Sequence, residues 1–185
     1  DIYTIALTGA KLKRMTYDRC GLEGLTWMPD GRRIIFSSAR AISQKLWSID
    51  RDGSSLKAVN ASGINSYTPR VSPDGKRLLY AEYRGGLYDI GRIKIPPYPQ
   101  VVSLEKVLAS PRDETFINIS PDGQYFTFTS TQTGPSEIWT SDHRGMNLIK
   151  LTALNCHSGW SRWSPDGNKI VFDSRPFGNS DIFMV

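Results

Sequence analysis

Few residues in this chain are of the types that do covalent chemistry, and their spacing argues against it. The histidines are His143, in "SDHRG", and His157, in "NCHSGW"; the cysteines are Cys20 and Cys156. A metal centre needs several ligands at short, regular intervals, and neither a His-x-x-x-His nor a Cys-x-x-Cys grouping is present. Acyl transfer needs a nucleophile beside its base, and the chain has no Gly-x-Ser-x-Gly elbow. Asp30, Asp74, Asp122 and Asp166 each stand between a Pro and a Gly, and a carboxylate repeated in every unit builds a turn rather than an active site. The sequence therefore predicts no catalytic residue, no metal and no cofactor. His143 reads as a solvated turn residue, Cys20 and Cys156 as free, partly buried thiols, and binding is the chemistry that remains.

Composition agrees. The chain has 185 residues, 39% of them hydrophobic and 22% charged, which is a globular balance. Its net charge of +5 comes from 23 basic residues against 18 acidic ones, spread without a basic run, so no contact with nucleic acid is expected. No stretch reaches the roughly 18 consecutive apolar residues of a membrane span.

The elements that position these residues repeat. "TWMPDGRRIIFSS" (26 to 38), "RVSPDGKRLLYAE" (70 to 82), "NISPDGQYFTFTS" (118 to 130) and "RWSPDGNKIVFDS" (162 to 174) place their prolines at Pro29, Pro73, Pro121 and Pro165, 44, 48 and 44 positions apart. A second phrase follows: "LWSIDRDGSSLKAV" (46 to 59), "IWTSDHRGMNLIKLT" (138 to 152) and "IFMV" (182 to 185). The chain also opens on it, with "DIYTIALTGAKLKRMT" (1 to 16). Each unit reads as four short strands, a to d. Strand a runs into a Pro-Asp-Gly turn in which Pro sets φ, Asp bonds its own backbone and Gly31, Gly75, Gly123 or Gly167 takes the positive φ.

Strand b carries Ile34 to Phe36, Leu78 to Tyr80 and Ile170 to Phe172, apolar on both faces, so both faces must be covered. Helical patterning is nearly absent. Sheets stacked face to face around an axis meet that demand, and a period of 40 to 50 residues suits a four-stranded blade. The expected fold is all-β: a β-propeller of four-stranded antiparallel blades, about four repeats, within a larger propeller. Its units are 1 to 16 (partial), 17 to 60, 61 to 108, 109 to 152 and 153 to 185 (partial). The second unit departs from the pattern at "IGRIKIPPYPQVV" (90 to 102), where Pro96, Pro97 and Pro99 make a stiff loop or edge.

The "WSPDG" and "IWTSD" phrases resemble the propeller repeat of the TolB family, a periplasmic translocation component, and of related WD-repeat-like propellers. The resemblance covers essentially the whole chain and implies a non-catalytic module for protein interaction or ligand sensing in a bacterial periplasm. "FDSRPFGNSDIFMV" (172 to 185) also resembles repeats beyond the DNA-binding domain of some winged-helix regulators, which makes a regulator's sensor domain one alternative. A hydrolase or lyase using the central channel is the other.

Topology puts the Pro-Asp-Gly and c-to-d turns on one rim and the loops that differ between units, such as "NASGINSYTP" (60 to 69) and "LNCHSGWS" (154 to 161), on the opposite one. Constant turns opposite varied loops describe a binding platform. The candidate contacts are Tyr67, Arg70, His157, Trp160, Arg162 and Arg175, because aromatic and Arg side chains dominate interface energetics. Arg70 and Arg162 share the third position before their Pro, on the innermost strand. There they either pair with carboxylates between blades, the reading ranked first, or face the channel and attract a small anion. A protein partner is expected, and open blade edges offer a route to a homodimer.

Overall fold

The Pro-Asp-Gly turns set the local geometry of a computed structural model that describes residues 1–59, 65–95 and 104–185. In each, the Gly amide closes a β-turn onto the carbonyl of the residue before Pro, at 2.8 to 2.9 Å, and the Asp Oδ1 accepts the amide two residues on. The four glycines have φ between +65° and +74°, a region that costs any other residue strain. In three turns a serine adds a clamp: Ser72, Ser120 and Ser164 donate to their Asp at 2.5 Å and accept the amide of Arg77, Tyr125 or Lys169 at 3.0 Å. The first turn has Met28 instead, buried in the core.

The described residues form seventeen strands and no helix. A two-stranded sheet, β1 (Tyr3–Thr4) and β2 (Lys13–Arg14), precedes four antiparallel meanders. These are β3 (Leu22–Trp27), β4 (Arg33–Ser38), β5 (Lys45–Asp50) and β6 (Lys57–Ala58); β7 (Ser66–Val71), β8 (Arg77–Arg84), β9 (Leu87–Lys94) and β10 (Leu104–Leu108); β11 (Glu114–Ile119), β12 (Tyr125–Ser130), β13 (Glu137–Asp142) and β14 (Ile149–Lys150); and β15 (Ser158–Trp163), β16 (Ile170–Ser174) and β17 (Asp181–Met184). These four antiparallel sheets are the blades of a β-propeller, with β3, β7, β11 and β15 innermost and touching one another in succession. Pro96, Pro97 and Pro99, and most of the loop starting at Asn60, lie outside the described residues.

Blades are held together by alternate faces of the second strand. Leu78 and Tyr80 of β8 pack with Met28, Ile35 and Leu46 of the blade before; Leu79, between them, packs with Ile117, Phe126 and Phe128 of the blade after. Ile34 and Phe36 face back onto Ile2 and Met15 in the same way. The junction between the third and fourth blades is built differently. Thr127 takes the place of Ile35 and Leu79 there, and Ser161 Oγ donates to Thr127 Oγ1 at 2.8 Å. Beyond the fourth blade the expectation of two covered faces is not met: β16 buries Ile170 and Phe172, while Val171 between them is 40% exposed. No sheet among the described residues packs on that face.

Blade two also breaks the aromatic ladder. Trp47, Trp139 and Phe183 of the third strands lie opposite Phe36, Phe128 and Phe172, but Tyr80 faces Gly91. A Cβ on Gly91 would sit 2.6 Å from the Tyr80 ring, so the missing side chain is what lets the tyrosine lie flat across the strand.

Candidate functional site

Every innermost strand bulges at the same place. Pairing with the second strand slips between Leu22 and Leu25, Tyr67 and Arg70, Thr115 and Asn118, and Gly159 and Arg162. The slip puts Gly24, Thr68, Phe116 and Trp160, each five positions before its Pro, at φ between +45° and +78°. Glycine is at ease there, and a Cβ on Gly24 would meet the Thr68 backbone at 2.7 Å. Phe and Trp are not, and bulky residues are held in this region only where the surroundings over-determine them. Their rings meet at a tilt of 37° with centroids 4.4 Å apart, and Trp160 remains 55% exposed.

On the rim of varied loops a second aromatic group assembles in blade two. Tyr67 meets Tyr88 edge-on at 5.6 Å, and Tyr83 lies 5.0 Å from Tyr88. The strand pairing that aligns Tyr83 with Tyr88 ends in the tight Gly85-Gly86 turn, which pushes this hairpin further out than its equivalents. Burial, followed by the Glu23 carboxylate, raises the Tyr67 hydroxyl above its ordinary pKa; burial and then Tyr67 raise Tyr88. The Tyr88 amide donates to Asp113 Oδ1 at 3.0 Å, tying the hairpin to blade three.

The other expected contacts are dispersed. His157 is exposed, with Nδ1 3.0 Å from Ser136 Oγ, and Arg175 is exposed in the β16–β17 hairpin. Cys20 and Cys156 are both free; Cys156 Sγ lies 3.1 Å from Ser174 Oγ and Cys20 Sγ 3.4 Å from the Asp18 carbonyl. The His143 carbonyl accepts a bond from Arg92 at 2.6 Å, so this turn residue is a seam between blades two and three. Among the described residues no group of His, Cys, Asp and Glu could hold a metal.

Arg70 and Arg162 sit at the far end of the channel, by the constant turns. The carboxylate pairing ranked first from sequence is not what they do. Arg70 Nη1 donates to the Pro69 carbonyl at 2.9 Å and Arg162 Nη1 to the Ser161 carbonyl at 2.8 Å, the same self-anchoring contact in two blades. Neither has a carboxylate within 4.0 Å among the described residues. Burial, and then the charge of Arg162, lower the Arg70 pKa.

Sequence reasoning missed Tyr83, Tyr88 and Phe116. The signal for Phe116 was present, since it shares with Trp160 the fifth position before Pro; nothing in the linear sequence aims Tyr83 and Tyr88 at Tyr67.

A β-propeller with one uniform rim and one aromatic rim is the class that fold and surface define. No family model matches the chain. It is 28% identical over 159 residues to a protein TolB homolog of Chlorobium luteolum, covering 84% of this chain and 34% of that relative. Among solved structures it superposes on TolB from Acinetobacter baumannii with a TM-score of 0.81 at 22% identity, over 98% of this chain and 45% of that one. A puromycin hydrolase in complex with PGG also shares the fold, with a TM-score of 0.71 at 13% identity over 94% of this chain and 28% of that one. The chain thus spans about a third of the curated relative's length. Its fold is that of a β-propeller, and its repeats are similar to those of the TolB proteins.

Proposed function

We propose that this propeller is a non-catalytic docking module in the bacterial periplasm that binds a protein partner on its varied rim. The observation that carries the reading is the cluster of Tyr67, Tyr83 and Tyr88 at that rim, together with the separate pair of Phe116 and Trp160 held at left-handed φ early in β11 and β15. Aromatic side chains supply large contact area at low entropy cost and recur as interface anchors. Local strain of this kind clusters where a surface is organised for binding. The periplasmic placement rests on the TolB resemblance.

A photoreactive residue at Tyr83 should capture a distinct protein in cells, while one at Asn168, on the constant rim, should not. With that protein purified, the double variant Tyr67→Ala, Trp160→Ala should weaken binding by about tenfold or more. Capture from Asn168 alone, or unchanged affinity in the double variant, would overturn the assignment.

A further inference from the structure

Seen seam by seam, the constant rim is less uniform than its turns. Between blades two and three, two arginines of blade two reach across to backbone carbonyls of blade three: Arg77 Nη2 donates to Gly123 at 2.9 Å and Arg92 Nη1 to His143 at 2.6 Å. Arg77 Nη2 also lies 3.8 Å from Asp74 Oδ2, so its guanidinium is held between a turn carboxylate and the turn carbonyl of the next blade. The seam closes around it, leaving a cavity of only about 10 Å³.

One blade on, both arginine positions have changed. Tyr125 follows Pro121 as Arg77 follows Pro73, and Thr140 pairs with Thr127 as Arg92 pairs with Leu79. Thr140 turns to its own blade, donating to the Phe126 carbonyl at 3.2 Å, and Tyr125 is 49% exposed. The seam between blades three and four accordingly opens into a crevice of about 750 Å³, lined by Asp122, Tyr125, Ile149, Trp163, Asp166 and Gly167 among others. That volume is in the range of small-molecule pockets.

The two ends of the Arg77 cradle are kept there. Asp122 and Gly167 are the counterparts of Asp74 and Gly123. Among the described residues Asp122 is engaged only through Oδ1, by Ser120 Oγ and the Gln124 amide, and the Gly167 turn has its amide bond to Ser164 but no counterpart of the Arg77 bond. Hydrogen bonds from Ser120 and Ser164, the first cause in each case, hold Asp122 and Asp166 below their ordinary pKa, so both are charged at neutral pH. No basic residue lines the crevice, although the protein carries a net charge of +5. Trp163 is fixed as a wall by its Nε1 bond to the Asn118 carbonyl at 3.3 Å, and aromatic walls favour a flat cation.

We infer that the crevice between blades three and four is a binding site for a small guanidinium compound, which takes the place that Arg77 fills one seam earlier, between Asp122 and the Gly167 carbonyl. A planar fork of donors suits a carboxylate and a carbonyl together better than a point charge does. The site lies on the opposite rim from the tyrosine cluster and is independent of partner docking there.

The test is a titration of the protein with ethylguanidinium chloride at constant ionic strength, following the NMR signals of the Trp163 Nε1–H and the Gly167 amide. Both should shift and saturate together, and ethylurea, of similar shape but uncharged, should leave them in place. Asp122→Asn keeps an oxygen for the Ser120 and Gln124 bonds of the turn and should weaken binding by at least about threefold, as loss of an exposed charge partner does. Tyr125→Arg should supply the guanidinium from the chain itself and abolish binding. Asp30→Asn, the same substitution in the turn of the first blade, should change nothing. If Tyr125→Arg fails to fold, Asp122→Asn still decides. No saturation with ethylguanidinium, equal saturation with ethylurea, equal weakening in Asp30→Asn, or unchanged binding in Asp122→Asn would overturn the proposal.

Discussion

The second strands β4 and β16 are written almost alike, "RIIFSS" against "IVFDS", and they live in different surroundings. Every residue of β4 after Arg33 is buried, whereas β16 alternates buried and open positions. Phe36 is covered by Ile2 and Met15 of the preceding sheet, and Phe172, at the equivalent position of its strand, is also buried. Ile35 is covered and Val171 is not, because only Ile35 has a following blade against it. Burial in a stacked-sheet protein is thus a property of the neighbour, and the same apolar triplet is core in one blade and surface in another.

That comparison breaks most visibly under truncation. Phe36→Ala should cost about 3–5 kcal/mol in urea unfolding, and Val171→Ala no more than about 0.5 kcal/mol. Similar losses at the two sites would mean that Val171 is covered in solution. Gly91→Ala sharpens the contrast within the interior: the added methyl group meets the Tyr80 ring at 2.6 Å, and displacing that ring from the core should cost about 1–3 kcal/mol. Gly134→Ala, in open space, should lack the steric part of that loss.

The turn serines give a smaller difference of the same kind. Ser72 is buried and Ser164 half-buried around the same 2.5 Å clamp, so Ser72→Ala should cost about 1 kcal/mol at neutral pH and Ser164→Ala less. The hydrogen bond from Ser72 is the first cause that holds Asp74 below its ordinary 3.8. A depressed carboxylate stabilises above its unfolded value and loses that contribution as pH falls through the folded one. Ser72→Ala should therefore flatten the stability loss below pH 3.8 relative to the parent.

Smallest in size and opposite in sign is Glu114, 3% exposed at the start of β11, with its Oε2 unpartnered. Burial first, and then Asp89 and Asp113, raise its pKa above 4.5. The folded state therefore holds this proton more tightly, and stability falls as pH rises from 4.5 through the folded value. Glu114→Gln should raise the melting temperature at pH 7 and leave it unchanged at pH 4.

Much of the fold was legible because turns are local. Pro, Asp and Gly settle their own dihedrals within four residues, and four copies of one turn announce four copies of one sheet. The candidate site was legible only in part. Trp160, Tyr67, Arg70 and Arg162 stood out by type and position, but the partners that give them meaning are distant in sequence: Phe116 across a blade junction, Tyr83 and Tyr88 around a hairpin. The carboxylate pairing expected for the arginines does not form among the described residues.

From its amino acids alone this protein had its strand period, its turns and its division into a uniform and a varied rim, since each follows from interactions spanning a few residues. Which apolar faces became core and which aromatic rings met were settled when blades packed on blades. Those outcomes depend on contacts between residues some forty positions apart, and no local preference encodes them.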